Sequence, residues 1–311
     1  MRRTFPLLFA LLAVSLAACA QPDAAPASSR QSLQDAWWTG PLLANSAGTL
    51  PRGHFLFEPY VYDVISSHNH GVGSRAYVLY GLVDQLTVGV IPIVGDNKPR
   101  GLPGSSGFLM GDFTAVAQYR LTQFREHHWL PSTALHFEQT FPTGRYDRLK
   151  QASDGLGGGA YSTSIALNSQ TYFWLPNGRI LRLRFAVAQS FSRSVKVRDI
   201  SVYGTEAGFR GRAHPAPSLM MDAAGEYSLT RRWVLALDAN YQHSGDTRVI
   251  GVQNSANVRL DSGSNWALGF APALEYNISP NLGVIFGARV IGIGGNYSPS
   301  LAPVMAINIV H

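Results

Sequence analysis

The sequence predicts an all-β fold, an antiparallel transmembrane β-barrel of about 12 strands with short periplasmic turns and long outer loops. Three observations predict it: an N-terminal secretory signal, a two-residue hydrophobic period in successive segments, and an alternation of short and long joints. Barrels of the bacterial outer membrane combine short periplasmic turns with long outer loops. A soluble β-sandwich has no reason to keep that asymmetry.

Residues 1–20 are predicted to be a secretory signal peptide. A pair of arginines precedes a short apolar stretch at residues 7–16, and small residues follow it, which is the arrangement of such signals. The stretch is too short to cross a membrane as a helix. Two processing routes stay open: cleavage after Ala20, which we favour because a barrel needs no lipid anchor, and lipidation at Cys19.

Residues 21–50 are predicted to be a mobile leader, because they are small, polar and rich in proline. A short helix or plug-like segment at 33–38 is the alternative, and we favour a plain linker. Residues 51–311 then form the β-barrel domain. Cys19 is the only cysteine, so the mature chain has no disulfide framework and no thiolate metal site. No cofactor and no metal are expected.

Composition limits the partners. Charged residues make up only 14% of the chain, and no run of about 18 uncharged apolar residues exists, which excludes a helical membrane protein. The formal net charge of +6 is scattered along the chain. Because no basic stripe interleaved with aromatic residues is present, nucleic acid is not an expected partner. Outer-membrane lipids are the expected partners of such a barrel.

A two-residue hydrophobic period identifies the strands. Residues 233–242 alternate apolar side chains, with aromatic residues at both ends, with mostly polar ones. The same period recurs at 113–121, 181–191 and 266–278. Period two is the signature of a strand, and aromatic residues near strand ends match the interfacial girdles of outer-membrane barrels.

Twelve runs of this kind follow one another along the chain, and the joints between them alternate in length. The runs lie near residues 53–64, 74–82, 85–93, 109–121, 128–141, 159–174, 179–192, 214–228, 232–243, 264–278, 282–293 and 301–310. Short joints fall near 83–84, 176–178, 230–232 and 279–281, and long joints at 65–73, 94–108, 142–158, 192–213, 244–262 and 294–300. An even number of strands places both termini in the periplasm.

Three features leave ten or fourteen strands as alternatives. Pro59 and Pro131 lie inside two of the runs, and proline weakens a strand prediction because it lacks a backbone donor. The chain ends in His311, whereas many such barrels end in an aromatic residue.

The energy of lipid exposure predicts which side chains face the lumen. An arginine on the lipid face costs roughly 2–4 kcal/mol at the middle of the bilayer, so Arg182 and Arg184, in the middle of their run, should point inward. The same reasoning, applied to the two-residue alternation of the other strands, predicts that further charged residues and one histidine also point inward. The predicted lumen-lining set is Glu58, Asp112, Arg120, His136, Glu138, Arg182, Arg184, Asp222, Glu226, Asp238, Glu275 and Arg289.

Short motifs link the chain to a known family. They are Phe57-Glu58-Pro59 in the first strand, residues 80–89 across the first tight turn, residues 141–144 where a strand enters a long loop, and the glycine-rich residues 155–159. With these motifs the chain resembles the phenol-degradation meta-pathway family of outer-membrane β-barrel transporters, over most of residues 50–311. The resemblance implies passive passage of small hydrophobic or aromatic compounds. It brings no catalytic or binding residue set.

Several alternatives stay open. Twelve strands lie between small barrels filled by side chains and wide aqueous channels, so the lumenal charges could form either a closing network or a selective lining. We expect no enzymatic activity, but a lipid-acting barrel enzyme using His136, His243 and Ser244 is one alternative, and a structural or adhesive barrel is another. His68 and His70 have metal-ligand spacing, and we favour a solvated loop there.

Overall fold

The fold is built almost entirely from strands, and the computed structural model describes residues 30–311. The predicted signal peptide and the start of the predicted leader lie outside the described residues. The strands are β1 (Phe55–Ser66), β2 (Asn69–Val83), β3 (Leu86–Ile91), β4 (Ile93–Gly95), β5 (Lys98–Pro99), β6 (Leu109–Met110), β7 (Phe113–Thr122), β8 (Ser132–Phe141), β9 (Ser162–Trp174), β10 (Ile180–Ser192), β11 (Val195–Arg198), β12 (Arg210–His214), β13 (Ser218–Ser228), β14 (Trp233–Ser244), β15 (Arg248–Gln253), β16 (Ala256–Asp261), β17 (Asn265–Ser279), β18 (Leu282–Gly295) and β19 (Ser300–Val310).

Twelve of these strands close into an antiparallel barrel. The wall runs through β2, β3, β7, β8, β9, β10, β13, β14, β17, β18 and β19 to β1, which pairs with β19 and with β2. The strand β4 continues β3 past Pro92. Within residues 30–311 the two helical pieces are single 3₁₀ turns, Leu33–Asp35 and Ala152–Asp154, and neither is long or apolar enough to cross a membrane. The predicted 12-stranded barrel is confirmed.

Pro59 leaves the register intact at the closing seam, which is the pairing of β1 with β19 that closes the barrel. The ladder between β1 and β19 has no pair at Glu58 or Pro59, yet it resumes at Tyr60 opposite Ala306 with the same offset. Proline removes one donor without shifting the strand. Pro131 lies just before β8, so neither proline changes the strand count.

One predicted outer loop is wrong. The joint at 65–73 is a two-residue connection, because β1 ends at Ser66 and β2 begins at Asn69. The polar residues there hold the strand ends together: the Asn69 N–H donates to Ser66 Oγ (3.0 Å), and His70 Nε2 lies 2.7 Å from Asp63 Oδ1. A polar and glycine-rich sequence therefore forms the rim of the wall rather than a loop.

The outer surface of the barrel is apolar and the inner surface is polar. Along β14 the exposed side chains include Trp233, Leu235 and Leu237, and Asp238 is fully buried. A soluble protein would place these two sets the other way round. Large apolar side chains are exposed on the other wall strands as well, so this surface suits the hydrocarbon of a bilayer.

We expect Leu237→Arg to disturb this arrangement. Leu237 is 53% exposed on the outward face of β14, so the substitution should destabilise the barrel folded in a bilayer by about 2–4 kcal/mol. The control is Leu102→Arg in an outer loop, where the side chain is 70% exposed and should tolerate the charge. Urea titration of the two variants in liposomes measures the difference, and equal stabilities would contradict the outward assignment.

Candidate functional site: a plugged lumen

The chain ahead of β1 enters the barrel from the periplasmic end. Gln31 donates its backbone N–H to Gly178 O in the β9–β10 turn (2.9 Å), and Leu50 donates its N–H to Thr87 Oγ1 near the β2–β3 turn (2.8 Å). Between these two points residues 36–50, which we call the plug, lie inside the lumen. The mobile leader predicted for residues 21–50 is therefore wrong for its described part, because wall side chains bind the backbone of that segment.

Asp238 is the strongest anchor of the plug. Its carboxylate accepts the backbone N–H groups of Leu42 (3.0 Å), Leu43 (3.3 Å) and Ala44 (2.9 Å). Hydrogen bonds to an ionised acceptor are about twice as strong as neutral ones. Three consecutive amides converging on one carboxylate fix the path of the plug at this point.

Glu275 is a second anchor on the neighbouring strand. Its Oε2 accepts the N–H of Thr39 (2.7 Å) and of Gly40 (3.1 Å). Asn277 follows two residues later on the same face of β17. It accepts a hydrogen bond from Thr39 Oγ1 (3.1 Å) and donates one to Trp37 O (3.1 Å). The start of the plug is thus bound by side chain and backbone together.

Small wall residues make room for the plug. Leu42 packs against a cluster formed by wall alanines and Ile285 of β18. A Cβ on Gly283 would collide with Thr39, and a Cβ on Gly81 would collide with the backbone of Pro51. These two glycines let the wall approach the segment at its entry and at its exit.

A buried charge cluster supports the middle of the plug. Arg182 binds Glu226 through two nitrogens, with Nε 2.6 Å from Oε2, and Arg184 Nε lies 3.0 Å from the same oxygen. Arg184 Nη1 donates to the backbone oxygen of Ala44 (3.1 Å). The guanidinium of Arg182 lies 4.4 Å from the ring centroid of Trp38. Both arginines therefore connect the wall to the plug.

Gln118 centres a second polar group, on the side of β7, β8 and β9. Its Nε2 donates to the backbone oxygen of Ser46 (3.1 Å), and its Oε1 accepts from Asn168 (3.0 Å). His136 lies 3.1 Å from both Gln118 Oε1 and Glu138 Oε1. This group holds the far end of the plug.

The remaining predicted lumen residues are more dispersed. Glu58 accepts from Asn308 Nδ2 across the closing seam (2.9 Å), and Arg289 donates to Gln242 Oε1 (2.9 Å). Asp222 is buried on β13. Arg120 lies near the periplasmic end of β7, where its backbone N–H donates to Gln85 O.

Asp112 belongs to the outer end rather than to the lumenal clusters. It accepts the N–H groups of Gly144 (2.9 Å) and Gly158 (2.7 Å), so it ties β7 to the long loop between β8 and β9. Contact of any of the twelve predicted residues with a solute stays a prediction.

The outer loops are tied to each other as well. Asp154 accepts from both N and Oγ of Ser106 (2.8 Å each), which lowers the pKa of its carboxyl below the ordinary value. Asn97 donates to the backbone oxygen of Gly155 (3.2 Å). The two loops therefore form one layer at the outer rim.

Sequence reasoning offered a plug-like segment only as the less favoured alternative at 33–38, and it missed several polar wall residues. Arg75, Gln118 and Asn168 were not predicted, although each lies in phase with the inward-facing residues of its strand. Arg75 comes within 3.9 Å of Glu138 and 5.2 Å of the Tyr77 ring centroid. The two-residue period of the strands was the sequence signal that could have identified these three residues.

The alternative catalytic and metal residues are not brought together. His136 faces the lumen, whereas His243 and Ser244 lie at the outer end of β14. His70 pairs with Asp63 (2.7 Å). Within residues 30–311 no group of three His, Cys, Asp or Glu side chains is arranged to hold a metal ion.

A cavity of about 330 Å³ remains between the plug and the wall. The plug follows the wall from β17 through β14, β10 and β7 to β3. The cavity runs beside it, and its wall side is formed by β1, β2 and β19 together with residues of β3, β7, β8 and β10. Its lining includes Trp38, Leu56, Tyr60, Tyr77 and Leu79 together with polar groups. A cavity of this size accommodates a small molecule.

Comparisons with known proteins support the barrel fold. The family model described as "Putative MetA-pathway of phenol degradation" matches residues 40–297. An outer membrane channel from Pseudomonas putida F1 has a crystal structure with a TM-score of 0.66 and 13% identity, covering 87% of this chain and all of that one.

Two other solved barrels are more distant. The NanC porin has a TM-score of 0.45 and 11% identity, over 81% of this chain and 98% of that one. The CymD monoaromatic hydrocarbon channel has a TM-score of 0.43 and 11% identity, over 84% and 88%. No curated protein matches the chain. The apolar outer surface and the closed barrel together place the chain in the bacterial outer membrane.

We expect Asp238→Ala to loosen the plug. The substitution removes the shared acceptor of three plug amides, and hydrogen bonds to a charged group contribute about 1.5–3 kcal/mol each. Hydrogen–deuterium exchange at residues 42–44 should therefore accelerate by at least about tenfold. Asp261→Ala, in an outer strand, is the control. Unchanged protection at 42–44 would show that other contacts fix the plug.

Glu226→Gln should destabilise the barrel as a whole. It leaves Arg182 and Arg184 without their buried carboxylate, and breaking a buried pair costs about 3–5 kcal/mol. The control is Glu206→Gln, because Glu206 is exposed in an outer loop. Urea unfolding in detergent micelles measures the loss, and equal midpoints for the two variants would refute the proposed importance of the cluster.

Proposed function

Because this chain belongs to the family of the MetA pathway of phenol degradation, we propose that it carries small hydrophobic or aromatic compounds passively across the outer membrane, beside the plug. The observation that carries the proposal is the cavity between the plug and the strands β1, β2 and β19. Facilitated diffusion needs a lined path and no cofactor.

The lining of the cavity suits aromatic solutes. Trp38, Tyr60 and Tyr77 offer ring faces and edges, and aromatic pairs are favourable beyond the area they bury. The hydroxyl groups of the tyrosines and the side chains of His136 and Gln118 offer hydrogen bonds to a polar substituent. A small ring with one hydroxyl, such as phenol, combines both features.

The size of the barrel supports a selective path rather than an open pore. Twelve strands enclose more space than side chains alone can fill, and the plug occupies one side of that space. The solute path is thereby reduced to the cavity beside the plug, where a small ring would remain in contact with the wall. Such contact allows selection by chemistry as well as by size.

Passage also accounts for the polar residues better than catalysis does. A hydrolase needs a nucleophile and a base within hydrogen-bond reach of each other. His136 instead contacts Gln118 and Glu138, which belong to the group that holds the plug. We therefore propose a non-enzymatic role.

Leu79→Trp tests the path. Leu79 lines the cavity, so a larger side chain there should reduce solute influx several-fold by filling space. The matched control is Leu82→Trp on the same strand, where the side chain is 50% exposed on the outward face. Uptake of labelled phenol and toluene by cells that produce each variant measures the effect.

Two results would contradict the proposal. Equal uptake with Leu79→Trp and Leu82→Trp would mean that the solute does not pass this cavity. Lipid hydrolysis by the refolded protein, without solute uptake or conductance in planar bilayers, would favour the enzyme alternative.

A further inference from the structure

Four strands extend the wall beyond the barrel at its outer end. The strands β11, β12, β15 and β16 pair in that order into a second antiparallel sheet. Their order matches that of the wall strands to which they are joined, β10, β13, β14 and β17. We call this extension the outer sheet.

The inner face of the outer sheet is apolar and covered. Val197 and Val249 are buried there together with Phe209, against Ala160 and Tyr146 of the loop between β8 and β9. Because this loop lies on the barrel side of the sheet, the opposite face points away from the barrel axis.

The opposite face is strongly cationic. Strand alternation places exposed basic side chains on it, beside the exposed Ile250 and Val252 of β15. The six cations of this face are Lys196, Arg198, Arg210, Arg212, Arg248 and Arg259.

Cations face each other directly across two strands. Lys196 is opposite Arg212, and Arg198 is opposite Arg210. Like charges directly opposite destabilise a sheet. Within residues 30–311 none of these four side chains has an acidic partner, whereas Arg248 and Arg259 pair with Asp246 (3.3 Å) and Asp261 (2.8 Å). The four unpaired cations therefore lack an anion that would relieve their repulsion.

A groove lies on the outer wall where β10 ends, next to the start of the outer sheet. It measures about 360 Å³ and is lined by the exposed rings of Phe141, Tyr161 and Phe191, with Ser192 and Arg193 at one end. Arg193 immediately precedes β11, so the groove on the membrane side lies next to the start of the outer sheet. Aromatic girdles mark the level of the lipid headgroups.

We propose that the outer sheet binds the phosphorylated glycolipid of the outer leaflet, lipopolysaccharide. Phosphate groups contact Lys196, Arg198, Arg210 and Arg212, and an acyl chain lies in the groove beside Phe191. Arginine suits phosphate because its planar fork donates two parallel hydrogen bonds. This site is independent of the proposed solute path, because its residues lie outside the lumen.

The test compares two variants of the full barrel in phosphatidylcholine nanodiscs. The first replaces Lys196, Arg198, Arg210 and Arg212 by glutamine. The control makes four arginine-to-glutamine changes at the periplasmic end, at Arg52, Arg125, Arg179 and Arg232. Both remove four positive charges, so a difference between them reports position rather than net charge.

Binding of purified lipopolysaccharide is measured by titration at low and high salt. The outer-sheet variant should bind at least about tenfold more weakly than the unaltered protein, and the control should bind as the unaltered protein does. The affinity of the unaltered protein should fall as salt is raised, because exposed charges are screened. Dephosphorylated lipopolysaccharide should bind the unaltered protein as weakly as the variant binds the intact lipid.

Three outcomes would overturn the proposal. The first is equal lipopolysaccharide binding by both variants. The second is full binding of the dephosphorylated lipid. The third is equally tight binding of nanodisc-borne phosphatidylglycerol or of an acidic peptide, which would make the face a general anion site. If the fourfold variant does not fold, Arg198→Gln with Arg210→Gln removes one opposed pair and is judged by the same three outcomes.

Discussion

The interior of this barrel depends on finding partners for the carboxylates that its wall carries away from bulk water. An ionised carboxylate buried without hydrogen bonds is strongly unfavourable. Glu226 obtains its partners from two arginines of the wall, whereas Asp238 and Glu275 obtain theirs from backbone amides of the plug. The plug and the wall therefore complete each other: the plug gains acceptors for amides that have no strand neighbour, and the wall gains donors for its acids.

The same requirement explains the shape of the solute path. Acidic anchors are concentrated on β14 and β17, and small residues on β14, β17, β18 and β19 let the plug approach that side. The wall around β1 and β2 carries larger rings such as Tyr60 and Tyr77, which line the cavity. The asymmetry of side-chain size around the wall thus decides where the lumen stays open.

Much of the wall could be predicted from the sequence, because each wall strand repeats the two-residue period over most of its length and this period is a local property. The path of the plug could not be predicted. Its backbone amides bind wall carboxylates such as Asp238, which lies about two hundred positions later in the chain, and side-chain periodicity does not report such contacts. The outer sheet could not be predicted from the sequence for a related reason. Its strands, such as β11 (Val195–Arg198), are short, and the four-stranded sheet forms only because β12 pairs with β15 of another loop. The polar segment at Ser66–Asn69 was misread because a strand rim and a loop share one composition.

Both ends of the plug leave the lumen on the periplasmic side, and this gives the obstruction a mechanical direction. Arg30 lies at that rim, 3.9 Å from the ring centroid of Trp174 and 3.2 Å from Glu126. Tension applied there from the periplasm would break the contacts of the plug one after another, as in unzipping, starting at Gln31 and proceeding to Glu275 and Asp238. A load from the cell exterior would instead press on all of these contacts at once, as in shear. We therefore expect the plug to yield to a smaller force from the periplasm than from the outside.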